Sequence, residues 1–272
     1  MNKFKYFLEK NKMIIIISIS ILLCAVAIAV GIYAQITDKE IVNNKKEEET
    51  EYIDLEENFN EIFTNTINKE ITAKQNVNYD EIIYCAYNIQ KDEGNYRINA
   101  QIPLFKMKNE VTNKANKEIY NTFAKTILDI VENSNVYTIF DLDYVVYANN
   151  NIVSLVIQCT YKKGSNPQRK IIQTYNYNID SNKLMDINEL LDYKKLNKQE
   201  VEKVIETKIK QEKEEDKVYI EQGYYAFERN ENDEIYKIEN TPNYFLGKNN
   251  YLYLVYAYGN NNYTSELDLV IF

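Results

Sequence analysis

A long uncharged segment near the N-terminus constrains this chain more than any other feature. Residues 13–34 carry no charge and are mostly Ile, Leu, Val and Ala. About 20 such residues, rising 1.5 Å each in a helix, span the hydrocarbon core of a bilayer. A helix of a soluble core usually has one polar face instead. The segment therefore predicts one transmembrane helix, and a signal peptide cleaved near residues 32–34 is the alternative.

The charges that flank this segment predict its orientation. Four lysines lie before it, opposed only by Glu9, whereas the segment after it has mixed charge. Because lysine and arginine close to a span stay on the cytoplasmic side, residues 1–12 are expected to be a cytoplasmic tail. The rest of the chain is then expected outside the cell membrane, as the extracytoplasmic part of a single-pass protein.

Charge and composition exclude several classes of function. The chain has 41 acidic and 32 basic residues, and the predicted outer part is the more acidic portion, so nucleic-acid binding is not expected and basic partners are favoured. The sequence has no histidine, which excludes Ser-His-Asp and Cys-His catalytic groups and the usual zinc sites. Cys85 and Cys159 could form a disulfide or could be two small apolar strand residues.

The remaining sequence predicts an α+β fold, with antiparallel sheets and packed helices after the transmembrane helix. Residues 35–76 are expected to be a stalk with an amphipathic helix, followed by a first α+β domain at 77–149 and a second at 150–272. Apolar spacing predicts helices at 111–131, at 187–191 and from 198 to the acidic residues 212–216. Asp186 and Asn197 are the expected N-caps of the last two. Strands are predicted at 82–87, 96–102, 138–148, 152–161, 169–179, 224–228, 244–246, 251–258 and 266–272.

Several segments resemble a known family. In the first half these are residues 96–103 (YRINAQIP) and the helix that contains Asn113, Asn116 and Ile119. In the second half they are residues 151–155, 164–167, 175–180, 186–191 and 252–256. Together they resemble the paired extracytoplasmic domains of the anti-sigma factor RsiV, the first of which also accompanies the peptidoglycan deacetylase PdaC.

The resemblance implies an α+β fold and a role as an extracellular sensor or binding module; the ligand of the anti-sigma factor is lysozyme. The chain departs from the family in three respects. Twelve residues before the predicted span are too few for a sigma-binding segment, and the deacetylase catalytic domain is missing. The last loop of the family is rich in proline, whereas residues 258–264 contain none.

Two loops are the candidate partner-binding sites, because loops on a rigid sheet often carry binding residues. The first contains Gly164, Ser165, Asn166 and Pro167. The second contains Tyr258, Gly259, Asn260 and Tyr263. Both could also be ordinary hairpin connections.

Two further sets of residues are candidate sites. Asp141 and Asp143 are spaced to face one side of a strand, as an acid/base or metal pair would, but an exposed strand face is the simpler interpretation. The tyrosines near the C-terminus offer stacking surface for sugars or proteins. An AT-rich codon bias, together with the high β propensity of tyrosine, also accounts for them.

These observations predict a membrane-anchored extracytoplasmic binding module rather than an enzyme, without a cofactor or metal. The expected partner is a basic wall-active protein such as lysozyme, or a cell-wall glycan. Two alternatives remain open. One is a signalling regulator of the anti-sigma type, and the other is an envelope enzyme that cleaves glycan with two carboxylates.

Overall fold

The computed structural model describes residues 82–258 and 265–272. The predicted tail, transmembrane helix and stalk lie outside these residues, as do Gly259, Asn260 and Tyr263. Among the helices that the structure describes, none is both long enough and apolar enough to cross a membrane.

A six-stranded sheet forms the larger part of the domain, and its strands lie in chain order. Alternating or continuous apolar residues account for each of its long strands. The strands are β1 (Ile83–Glu93), β2 (Tyr96–Phe105), β3 (Thr138–Asn149), β4 (Ile152–Lys163), β5 (Arg169–Asn178) and β6 (Lys183–Leu184).

The α+β class is confirmed, but the expectation of purely antiparallel sheets is wrong at one position. Strands β2 and β3 pair in parallel, with Tyr96 opposite Thr138 and Ala100 opposite Leu142. A parallel pair needs a crossover that returns the chain to the starting edge, and the helical segment between the two strands is this crossover. The other neighbouring strands of the sheet pair antiparallel.

The crossover is the helix predicted at 111–131, and it is longer at both ends. It consists of α1 (Glu110–Ile119), a π-helical turn (Tyr120–Ala124) and α2 (Lys125–Asn133). Asn109 caps it by accepting a hydrogen bond from the backbone N–H of Thr112 at 2.8 Å. The predicted apolar stripe is buried, and it packs on one face of the six-stranded sheet.

A second sheet packs on the opposite face of β4 and β5. It contains β7 (Asn243–Leu246), β8 (Leu252–Ala257) and β9 (Leu267–Ile271), all antiparallel. Val156 and Ile172 of the larger sheet contact Phe245, Val255 and Leu269. Residues 152–157 are therefore buried on both faces of β4, which explains why all of them except Ser154 are apolar.

Two helices cover the outer face of the second sheet, so the domain has four layers. They are α3 (Ile187–Lys194) and α4 (Lys198–Glu221), and their apolar faces pack on Leu252, Leu254 and Val270. Asp186 and Asn197 cap them as predicted. The expected end of α4 at residues 212–216 is wrong, because the helix continues through these acidic residues to Glu221.

Buried polar side chains join the two sheets. Ser154 donates to the side-chain oxygen of Asn176 at 2.7 Å and accepts from the backbone N–H of Leu246 at 3.1 Å. Asn176 in turn donates to the carbonyl of Tyr244 at 2.8 Å. A side-chain bridge thus satisfies backbone groups of β7 that its own sheet leaves unpaired.

Three details of the fold concern a predicted strand, the predicted domain boundary and the two cysteines. Residues 224–228 form no strand in the structure. The expected domain boundary at 149/150 lies in the β3–β4 hairpin, where Asn150 has a φ of +52°, and the sheet is continuous across it. Cys85 is exposed on β1 and Cys159 is buried on β4, and they form no disulfide. Three strand spacings, about 14 Å, separate their strands, beyond the reach of an S–S bond.

Candidate functional site

The first predicted loop is a tight connection between β4 and β5 that leans on the segment before β3. Gly164 has a φ of +57°, a conformation that glycine adopts without a Cβ penalty. Its N–H donates to the carbonyl of Tyr137 at 2.8 Å, and a Cβ at this position would lie 3.4 Å from Val136. Ser165, Asn166 and Pro167 are exposed beyond this anchor point.

The segment before β3 is itself fixed by hydrogen bonds to the β1–β2 turn. The N–H of Thr138 donates to the carbonyl of Asn95 at 2.9 Å. The Ser134 hydroxyl donates to the carbonyl of Val136 at 2.8 Å and lies 2.9 Å from the hydroxyl of Thr138. Three connections at one end of the sheet are thereby held together.

We call this end of the sheet the sheet-end surface and define it as Val136, Tyr137 and residues 164–167. Val136 is 41% exposed and Tyr137 47% exposed. Lys162 and Lys163, which precede the loop, are also exposed. The surface therefore combines an aromatic ring, small polar groups and two nearby cations. The sequence did not indicate Val136 or Tyr137 as site residues, because a Val-Tyr pair before a strand is equally typical of the strand itself.

Tyr258, from the second predicted loop, is buried rather than exposed. It is 2% exposed, and its hydroxyl donates to Asp268 at 2.6 Å. Its ring stacks on Phe227 with 4.0 Å between the centroids. Gly259, Asn260 and Tyr263 lie outside the described residues, so their place in a binding site stays a prediction.

Tyr258 belongs to a buried cluster of charged and polar groups around Arg229. The Nε and Nη2 atoms of Arg229 both donate to the Asp268 carboxylate, at 2.9–3.1 Å. Its Nη1 donates to Asp216 of α4 and to the carbonyl of Phe227. Arg229 and Asp268 are almost fully buried, and this cluster joins α4, the segment after it and β9.

Burial changes the ionisation of this cluster. Burial and the Asp268 carboxylate raise the pKa of Tyr258 far above its ordinary value, so its hydroxyl stays protonated and donates. Burial also raises the pKa of Tyr236 to about 12. For Arg229, burial lowers the pKa, but the hydrogen bonds and charge of Asp268 outweigh this effect and raise it overall. The two tyrosines therefore stay protonated and Arg229 stays charged at neutral pH.

The two aspartates of β3 have different hydrogen-bond partners. Asp141 accepts a hydrogen bond from Arg97 at 2.7 Å, and both side chains are substantially exposed. Asp143 accepts from the N–H of Tyr144 at 2.7 Å. Within residues 82–258 and 265–272, no group of three or more Cys, Asp or Glu side chains is placed to hold a metal ion.

The cavities in the described part of the chain include two shallow ones. The first has a volume of about 360 Å³ and lies between α4 and residues 231–237, and charged side chains dominate its lining. The second has a volume of about 340 Å³ and lies between α1 and Leu184. Neither contains a predicted site residue.

The tyrosines near the C-terminus separate into two groups. Tyr253, Tyr256 and Tyr258 are buried in the cores on either side of β8, as β propensity alone would place them. Tyr224 and Tyr225 are among the most exposed aromatic residues of the described part. Tyr251 is also exposed, at 38%, and Tyr263 lies outside the described residues. Tyr224, Tyr225 and Tyr251 are therefore available for contact with another molecule.

Comparisons with known proteins complete these observations. No family model matches the chain, and no curated protein matches it. Among solved structures, the chain is similar to a member of the DUF3298 family from Bacteroides fragilis, a family related to the PdaC/RsiV-type domains. The match has 11% sequence identity and a TM-score of 0.27, and covers 62% of this chain and 82% of that chain. A TM-score at this level does not assign a common fold. Membership of this chain in a family therefore stays a prediction.

Proposed function

We propose that this chain is a membrane-anchored extracytoplasmic binding module that uses the sheet-end surface to hold an acidic cell-wall glycan. The observation that carries the proposal is the exposed ring of Tyr137, held beside Gly164 by a backbone hydrogen bond on a rigid sheet. An aromatic residue fixed on a rigid support loses little conformational entropy on binding.

The chemistry of this surface suits a glycan. A tyrosine ring can stack on a sugar face, and the side chains of Ser165 and Asn166 can exchange hydrogen bonds with sugar hydroxyls. Both groups are exposed beside Tyr137 in the loop that follows β4. The combination of one ring with several small polar groups is typical of sites that recognise polar, non-planar ligands.

Local charge favours one of the two partners that the sequence predicts. The chain as a whole is acidic, which favours a basic protein such as lysozyme. Salt screens charges beyond about 8 Å, however, so groups next to the surface dominate its field. Lys162 and Lys163 lie there and favour an anionic ligand, such as a wall fragment that carries carboxylates.

A binding assay with the full chain in liposomes tests this proposal. The proteoliposomes are incubated with insoluble peptidoglycan and, separately, with immobilised lysozyme, and the bound fraction is measured. Tyr137→Ser is expected to weaken glycan binding by about tenfold, the loss typical of an aromatic residue at the centre of an interface. Tyr120→Ser is the matched control, because Tyr120 is similarly exposed but lies on the helical crossover.

Two results would contradict the proposal. One is glycan binding that Tyr137→Ser leaves unchanged. The other is retention on lysozyme but not on peptidoglycan, which would favour a protein partner on another, acidic surface. A charge-reversed variant, Lys162→Glu with Lys163→Glu, separates the cationic contribution from that of the ring, since it should reduce the salt dependence of glycan binding.

A further inference from the structure

Helix α4 ends in a turn at Gly223. This turn brings apolar residues from the last turn of the helix close to those that follow the glycine. Gly223 has a φ of +86°, and its N–H donates to the carbonyl of Ile220 at 2.9 Å. The N–H of Tyr224 donates to the carbonyl of Tyr219 at 3.0 Å. These bonds form a glycine C-cap in which the chain reverses, so that Tyr224 returns toward the last helical turn.

This end of the helix is apolar and exposed. We call it the α4 tip and define it as Val218, Tyr219, Ile220, Tyr224 and Tyr225. Each of the five side chains is more than half exposed, and Tyr225 reaches 78%. They are five of the thirteen exposed large hydrophobic side chains in the described part of the chain. Such a concentration of exposed apolar residues marks a contact surface.

Ion pairs neutralise much of the acidic segment next to the tip. Four of the five residues 212–216 are acidic, and the fifth is Lys213. Three of the four carboxylates pair with cations of the same domain, in Glu212–Lys208, Glu214–Lys217 and Asp216–Arg229. The acidic segment therefore repels an anionic surface less than its sequence suggests.

We propose that the α4 tip inserts into the interfacial region of the lipid bilayer to which the chain is anchored. This inference rests on the proposed membrane anchor. Tyrosine is enriched at membrane interfaces, where its ring contacts acyl chains and its hydroxyl stays hydrated, and Val218 and Ile220 add aliphatic surface. A sugar would gain little from the two aliphatic side chains, so their presence favours lipid over glycan.

The part of the chain outside the described residues supplies the second argument. Residues 1–81 precede the domain and contain the uncharged apolar segment at 13–34. When a domain is tethered to a bilayer, the effective concentration of the lipid surface around the domain is high. A small apolar tip, too weak to recruit a free protein, is then sufficient to orient a tethered one.

The absence of tryptophan from the sequence permits a direct test. The full chain with Tyr225→Trp carries a single indole at the tip, and it is reconstituted in liposomes of phosphatidylcholine with or without brominated acyl chains. Indole fluorescence is expected to be about twofold lower in the brominated liposomes, because interfacial residues reach the acyl boundary. Tyr120→Trp, on the helical crossover, is the matched control and should show no quenching.

A second variant separates lipid contact from other causes. Ile220→Gln with Tyr224→Gln, in the Tyr225→Trp background, should reduce the quenching to the level of the control. Quenching of Tyr225→Trp no greater than that of Tyr120→Trp would overturn the inference. A blue shift that rises with protein concentration in the absence of lipid would also overturn it, because it would assign the tip to contact between copies of the chain.

The anchor is tested separately by flotation of the same samples. A chain that floats with liposomes after alkaline extraction, but shows no quenching at Tyr225→Trp, retains the anchor and lacks the tip contact. Quenching by added liposomes without stable flotation would leave the tip contact intact and contradict the anchor.

Discussion

Two arginine–aspartate pairs in this domain have the same chemistry and opposite surroundings. Arg97 and Asp141 lie on the uncovered face of β2 and β3, with side chains 46% and 34% exposed. Arg229 and Asp268 lie beneath α4, with side chains 5% and 1% exposed. The first pair makes one hydrogen bond between its side chains, whereas the second makes three.

The difference shows that burial, more than charge, determines what such a pair does. An exposed pair gains little, because water screens its attraction and two long side chains lose freedom. A buried pair is expensive to desolvate, but removal of one partner leaves the other charge uncompensated. The Arg229 cluster therefore specifies how the segment after α4 attaches to β9, while the Arg97 pair leaves the sheet face open.

The largest expected effect is that of removing the buried cation. Arg229→Met should lower the free energy of unfolding by about 3–5 kcal/mol, because the buried Asp268 and the half-buried Asp216 would lose their counter-charge. Thermal or urea unfolding of the full chain in detergent, followed by circular dichroism, measures this loss. Arg229→Lys, which keeps the charge but not the planar fork, should be intermediate. A loss below 1 kcal/mol for Arg229→Met would contradict the comparison.

The hydroxyl of Tyr258 tests a second part of the same cluster. Tyr258→Phe keeps the ring stacked on Phe227 and removes the hydrogen bonds of the hydroxyl to Asp268 and to Tyr236. A hydrogen bond to a charged group contributes about 1.5–3 kcal/mol, so the free energy of unfolding should fall by that amount. Tyr236→Phe is the control, since the hydroxyl of Tyr236 bonds to Tyr258 rather than to a charge and should cost less. If the two variants lost the same free energy of unfolding, the hydrogen bond to Asp268 would contribute no measurable stability.

Asp216 offers a pH-dependent test. Burial raises the pKa of its carboxyl above the ordinary value of 3.8, although Arg229 acts in the opposite direction. Because the folded state binds this proton more tightly than the unfolded state, the protonated carboxyl contributes to stability at low pH. That contribution is lost as pH rises through the folded-state pKa. The wild type should therefore gain stability relative to Asp216→Asn between pH 7 and pH 4. A difference that shrinks as pH falls would indicate that Arg229 dominates.

The smallest expected effect is on the open face of the sheet. Arg97→Met should change the free energy of unfolding by less than about 1 kcal/mol, as is usual for exposed ion pairs. Measurement by the same unfolding assay makes it the direct counterpart of Arg229→Met. If the two variants were equally destabilised, the contrast between the two regions would be lost.

Local features of this fold followed from the sequence because they depend on residues only a few positions apart. Asp186 and Asn197 were identified as helix N-caps, and a side chain that bonds an N–H two or three residues later needs no tertiary partner. The helix at 111–131 and the strands at 138–148 and 152–161 were likewise predicted. Pairing that joins distant segments was not, as the parallel contact of β2 with β3 shows.

The sequence predicted only some of the features of the candidate site. The exposed loop at 164–167 was identified from its turn residues, whereas Tyr258 was expected at a binding surface and lies in a buried cluster. Its partner Asp268 is ten residues away along the chain, across the loop before β9. Tyr137 was missed because its exposure depends on how the segment before β3 folds against Gly164.

The sequence by itself determined the α+β class, most of the helices and strands, the acidic balance and the absence of histidine chemistry. Each depends on composition or on a short-range period. Only the tertiary structure decided that Asp216 would be half-buried against the buried Arg229, while Glu214 and Glu215 of the same helix are exposed. Periodicity shows which residues share a face of a helix, but the energy of a charge depends on what covers that face. The layers that cover α4 and β9 come from segments far apart in the chain, and a local pattern carries no information about them.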